Sequence, residues 1–116
     1  MILLTESKHY KVYHEYENVI LEIKESQKRI LIGDFYGNPQ MAVISDDEKF
    51  CVMCGCGIIV YYLKEPFKEY EYHVQTEQWR EWGRNGEEMW VEGIESVNGK
   101  TVVCLSEAGE NIVLDI

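Results

Sequence analysis

Cys51-Val52-Met53-Cys54-Gly55-Cys56 sets three thiols in a C-x2-C-x-C pattern, with Cys104 as a possible fourth ligand. Thiolates at such spacing can bind zinc tetrahedrally, and the two flanking glycines would permit the tight turn that ligation requires. Three features oppose that chemistry. The segment lies between strand-like runs, and in an extended chain Cys51 points opposite to Cys54 and Cys56. A second C-x2-C pair is missing, and free cysteines are common small core residues. The thiols are therefore expected to be structural, with no metal and no cofactor.

Nucleophilic catalysis would need one of these cysteines beside a histidine that a third group orients. His9, His14 and His73 are all distant from Cys51–Cys56 in sequence. His14 falls on the apolar face of its strand and reads as a core or edge histidine; His9 and His73 read as solvated. Adjacent carboxylates occur at Asp46-Asp47-Glu48 and Glu87-Glu88. A general acid needs an apolar site that raises its pKa, and neither run has such flanks, so both read as solvated loops. Asp34 follows four apolar or small residues and precedes Phe35-Tyr36-Gly37-Asn38-Pro39. It is expected to cap the N–H groups of that turn. No catalytic residue is assigned.

The strongest signal is the stretch from Glu65 to Glu95. It holds nine acids against three bases (Lys68, Arg80, Arg84), interleaved with Phe67, Tyr70, Tyr72, Trp79, Trp82 and Trp90. Carboxylates steer an encounter with a basic protein, and rings supply the area it buries. The plainer reading is an amphipathic strand pair with Tyr70, Tyr72 and Trp82 inward and glutamates outward. Trp79 and Trp82 cannot share one face of a regular strand, which predicts that one ring reaches the surface. Partner contacts are expected at Glu69, Glu71, Glu77, Trp79, Glu81 and Trp82.

The chain has 116 residues and a formal net charge of −10. That length supports one domain, residues 1–116, with a hydrophobic core of its own. The second half carries most of the charge: residues 59–116 hold twelve acids and five bases. Such a field repels phosphate backbones and anionic lipid, so neither nucleic acid nor membrane is an expected partner. Base stacking fails on the same ground, because its rings need a positive groove. Gly55-Cys56-Gly57 lacks a following helix and any Lys-Ser or Lys-Thr, which excludes a phosphate loop. The N-terminal Met1-Ile2-Leu3-Leu4 has no basic flank and is too short for a signal peptide. With no export signal, the four cysteines are expected to be reduced thiols of a cytoplasmic protein.

Period-two alternation runs along nearly the whole chain. Tyr10–Tyr16 and Val19–Ile23 read as strands joined by a Glu17-Asn18 turn. Arg29–Tyr36 is apolar on both faces up to Asp34, as a central strand would be, and Gly37-Asn38-Pro39 breaks it. Met41–Ile44, Phe50–Cys54 and Gly57–Leu63 follow, with Pro66 ending the last. Tyr70, Tyr72 and Val74 alternate with Glu69, Glu71 and His73. Gln78–Trp82 is another strand, closed by Asn85-Gly86. Trp90–Val97 and Lys100–Ser106 flank Asn98-Gly99, the dipeptide of a type I′ hairpin, and Ile112–Ile116 comes last. The expectation is an all-β antiparallel sandwich or partly open barrel of nine or ten short strands, with at most one short helix.

Three segments, Ile32-Gly33-Asp34-Phe35-Tyr36-Gly37-Asn38-Pro39, Cys54-Gly55-Cys56-Gly57-Ile58-Ile59-Val60-Tyr61 and Glu65-Pro66-Phe67-Lys68-Glu69-Tyr70, together resemble bacterial immunity proteins. These are the small proteins encoded beside polymorphic or contact-dependent growth-inhibition toxins. The resemblance covers roughly residues 30–85. It implies a cytoplasmic protein that binds and blocks one cognate toxin domain, usually a nuclease, and carries over no individual contact residues. It agrees with the charge, since a nuclease must present a basic groove for which an acidic inhibitor can compete. The competing classes are a small-ligand or carbohydrate-binding β module and a cysteine-based zinc protein.

Overall fold

Two neighbouring strands, Phe50–Gly55 and Gly57–Tyr62, are apolar on both faces because each face fills a different core. Phe50, Val52, Cys54, Ile58 and Val60 enter one cluster, whereas Cys51, Met53, Ile59 and Tyr61 enter the other. A strand buried on both sides must lie in the middle of three layers. The computed structural model, which describes residues 1–84 and 89–116, has that arrangement. The expected Asn85-Gly86 turn and the Glu87-Glu88 pair lie outside the described residues.

Among the described residues, eleven strands form three antiparallel sheets. The first sheet is a meander of β1 (Ile2–Glu6), β2 (Tyr10–Glu15), β3 (Asn18–Ile23) and β4 (Lys28–Asp34). The middle sheet runs β5 (Met41–Ile44), β6 (Phe50–Gly55), β7 (Gly57–Tyr62) and β8 (Trp79–Trp82). The third comprises β9 (Val91–Asn98), β10 (Thr101–Ser106) and β11 (Asn111–Asp115). The sheets stack as a sandwich and do not close into a barrel. No helix occurs among the described residues, so none is long and apolar enough to cross a membrane.

Val12, Val19, Leu21, Ile30 and Ile32 of the first sheet pack on Cys51, Met53, Ile59, Tyr61 and Trp79 of the middle sheet. On the other side Val91, Ile94, Val102, Cys104 and Leu114 meet Phe50, Val52, Cys54, Ile58 and Val60. Cys51 and Cys54 thus fill opposite cores, as their odd and even positions require.

Five local features differ from those expected. β1 was not foreseen, and the β2–β3 turn is Tyr16-Glu17, one residue earlier than Glu17-Asn18. β4 is an edge strand, not a central one; its outer edge is covered by residues 69–70. The Tyr70 N–H donates to the Leu31 carbonyl at 2.8 Å, and the Leu31 N–H donates to the Glu69 carboxylate. Residues 70–74 form no strand. The irregular segment between β7 and β8 is pinned by the Tyr61 hydroxyl on the Lys68 carbonyl (2.6 Å) and by Trp79 Nε1 on the Val74 carbonyl (3.1 Å). Buried Gln78 adds its amide, donating to the carbonyls of Tyr62 (2.7 Å) and Lys64 (3.0 Å). The β9–β10 hairpin turns on Gly99-Lys100, with Asn98 paired to Thr101. Only Gly99 of these two has positive φ (58°), which is the glycine position of a II′ turn and not the I′ turn expected.

Candidate functional site

The six residues expected to meet a partner are dispersed. Trp79 is only 4% exposed, its ring stacked on Tyr61 and against Tyr70 in the first core. It is removed from any docking face. Trp82, on the opposite side of β8, is half-buried against the second core with the Arg80 guanidinium 4.9 Å from its ring. Of the two rings, Trp79 is interior and Trp82 reaches the surface in part, beside exposed Arg80 on the edge strand of its sheet.

The acids divide similarly. Glu69 closes the β4 edge through Leu31. Glu81 accepts the Tyr70 hydroxyl and sits 2.8 Å from Arg84 Nε. Burial, then Glu81, push the Tyr70 phenol pKa up. Glu71 and Glu77 remain open to solvent. Within 69–82, Tyr70, Gln78 and Trp79 are interior, whereas most of 71–77, Tyr72 included, lies open to solvent.

Exposed aromatic surface gathers at the end of the sandwich where the β2–β3, β4–β5 and β6–β7 connections meet, and Tyr72 of the 69–82 stretch joins it there. Among the described residues, the exposed tyrosines and tryptophan are Tyr16 (83%), Tyr36 (71%), Tyr72 (47%) and Trp90 (42%). Tyr36 and Trp90 make an edge-to-face pair with ring centroids 6.3 Å apart. Tyr36 and Tyr72 wall a cleft of about 350 Å³ whose other lining includes Glu17, Asp34, Phe35 and Arg84. Tyr16 precedes Glu17 in the same turn.

Backbone bonds hold this end together. The Phe35 N–H donates to the Glu17 carbonyl (3.0 Å), the Gly57 N–H to the Met89 carbonyl (2.7 Å), and Cys56 bridges Trp90. The Gly37 N–H donates to the Glu17 carboxylate, so the cap expected of Asp34 comes from Glu17. Arg84, its side chain 7% exposed, donates to the carbonyls of Cys56 (2.9 Å) and Asp34 and lies 4.9 Å from the Phe35 ring. Its Nε makes an ion pair with Glu81 without a hydrogen bond. Gly57, at φ 89°, leaves the room: a Cβ there would stand 2.8 Å from the Trp82 carbonyl and overlap the Arg84 side chain.

Charge at this end is acidic. Glu17 and Asp34 border the cleft, and Glu92 and Glu107 flank Trp90. None of the four carboxylates forms an ion pair among the described residues, and the nearby Arg84 is already matched by Glu81.

The remaining candidates resolve as structure. Burial pushes the thiols of Cys51 and Cys54 up to about 12 and that of Cys104 to about 11, so they stay neutral near pH 7 and are poor nucleophiles. No group of three or more His, Cys, Asp or Glu side chains among the described residues is placed to hold a metal ion. Glu48, read from sequence as part of a solvated turn, instead binds the β1–β2 connection. It accepts the Ser7 hydroxyl and the His9 N–H (3.0 Å), and pairs with His9 Nδ1 at 2.6 Å. His9 is correspondingly partnered. The carboxylate stands between serine and histidine, whereas catalysis would need the imidazole against the hydroxyl. Sequence reasoning passed over Tyr16, Tyr36 and Glu17, and the one signal for them was a run of rings and acids at predicted turns. No protein-family model, curated protein or solved structure matches the chain.

Proposed function

We propose that this chain is a bacterial immunity protein: a cytoplasmic, non-enzymatic inhibitor that binds a cognate basic toxin domain, a nuclease, and neutralises it. The observation that carries the reading is the set of exposed rings among unpaired carboxylates at one end of the sandwich. Isolated exposed rings are ordinary, but a ring cluster bordered by like charges is the anatomy of a protein-binding hot spot. The net charge of −10 adds long-range attraction for a cationic surface and none for nucleic acid.

Two measurements test it. A tagged chain should co-purify with the C-terminal domain of the protein encoded immediately upstream, and that domain should be basic. The association rate should fall about tenfold or more between roughly 0.05 and 0.5 M salt. A rate that does not change with salt removes the electrostatic part, and a neutral or acidic upstream domain removes the toxin assignment.

The cleft walled by Tyr36, Tyr72 and Phe35 favours a second reading, a small-ligand or carbohydrate-binding module. Its charged lining of Glu17, Asp34 and Arg84 fits a neutral sugar less well than a cation. Calorimetric titration with neutral oligosaccharides separates the two: saturable heat supports the module, and its absence supports the inhibitor.

A further inference from the structure

We infer that the partner docks on the Tyr36–Trp90 end of the sandwich, away from the Glu77–Trp79 end of β8, and that the cleft between Tyr36 and Tyr72 receives one of its cationic side chains, an arginine. This rests on the reading of a basic protein partner given above.

Three independent features meet there. The first is surface: Tyr36 and Trp90 pack edge to face while both remain largely in solvent, so their free faces are available at little conformational cost. The second is charge. With Arg84 matched by Glu81, the carboxylates of Glu17 and Asp34 leave the cleft net negative, and Glu92 and Glu107 extend that sign past Trp90.

The third is shape. The cleft has room for a long side chain, and its floor already shows how a guanidinium is held: Arg84 lies against Phe35 and, at 5.6 Å, the Tyr72 ring, with backbone carbonyls as acceptors. A second guanidinium entering above would face the Tyr36 and Tyr72 rings and the Asp34 carboxylate. Planar stacking and forked hydrogen bonding favour arginine over lysine at such a place.

Acetyl-tetraarginine amide is the probe, titrated into the full chain and followed by amide chemical shifts and tryptophan fluorescence. Saturable shifts should centre on Tyr36, Gly37, Tyr72 and Trp90. Tyr36→Ala, which removes an exposed ring and should leave the spectrum folded, should weaken binding about three- to fivefold, the size of an exposed cation–π contact. Asp34→Asn should weaken it as well, whereas Glu77→Gln should have little effect. Shifts centred on Glu77 and Gln78, or affinity indifferent to Tyr36→Ala, overturn the docking end while leaving the basic-partner reading intact. Failure of the peptide to bind anywhere overturns both.

Discussion

Trp79 and Trp82 stand three residues apart on β8 and face opposite cores: Trp79 stacks on Tyr61 toward the first sheet, and Trp82 leans on the cluster shared with the third. The spacing alone dictates opposite faces in a strand. Trp79's face is interior, while the face of Trp82, shared with exposed Arg80, is partly open at the edge of the middle sheet, so Trp82 packs with only part of its ring.

Replacing these rings should therefore rank by depth of burial. Trp79→Ala should destabilise the protein by about 3–5 kcal/mol, since it opens a cavity and strands the Val74 carbonyl. Trp82→Ala should cost about 1–2 kcal/mol, and Trp90→Ala less than about 1 kcal/mol. Guanidinium unfolding of the three variants checks the order; a Trp79→Ala protein as stable as Trp90→Ala would contradict the layer assignment.

Glu69 has a defined structural task, closing the exposed edge of β4 at Leu31. Edge strands with free N–H groups invite pairing with other chains. Glu69→Ala should lower stability by about 1 kcal/mol and speed hydrogen exchange of the Leu31 amide. It should leave partner binding nearly unchanged, because this carboxylate is already committed inside the molecule.

Much of the architecture was legible because burial on two faces leaves a direct trace: Phe50–Gly55 and Gly57–Tyr62 are apolar at every position. The same trace misleads at β4. There Leu31 is sheltered by a segment nearly forty residues on, a tertiary contact with no local signature. Residues 70–74 alternate as a strand would, yet their backbone is held by Tyr61, Leu31 and Trp79. The candidate surface was the least legible feature. Tyr16, Tyr36, Tyr72 and Trp90 are separated by 18 to 36 residues, and only the stacking of sheets brings their loops to one end.

Acid should act through Glu48. The Ser7 hydroxyl, then the His9 ring and amide, hold its pKa down to about 2, against an ordinary 4.5. A carboxylate depressed by folding stabilises the native state fully above its unfolded value, and that contribution is lost as pH falls through about 2. Ser7→Ala should carry the Glu48 titration back toward 4.5 and move acid unfolding to higher pH. Carboxyl carbon NMR and a circular-dichroism acid titration read the two effects; an unmoved Glu48 midpoint would falsify the assignment of Ser7.

Base should act through the thiols. Burial raises Cys51 and Cys54 from an ordinary 9.0 to about 12, so the folded chain keeps them neutral after the unfolded chain has ionised them. Their contribution is intact below pH 9 and is lost as pH rises toward 12. At pH near 8 a thiol reagent should label Cys51, Cys54 and Cys104 only as fast as the protein opens. Rapid stoichiometric labelling of native protein would show that these side chains are not interior.

Tyr16 joins strain to exposure. Its φ of 53° is in the left-handed region, at a turn position where glycine or asparagine would be at ease, and its ring is almost wholly in solvent. A bulky residue there destabilises the fold by about 1 kcal/mol with no packing return. Such a residue is retained when its side chain has work outside the molecule. Tyr16→Asn should raise stability by up to about 1 kcal/mol in a thermal or urea melt. The same variant should bind the basic partner more weakly, since Tyr16 adjoins Glu17 at the docking end. Higher stability with undiminished binding would place Tyr16 outside the interface, and lower stability would mean that its ring packs on the fold after all.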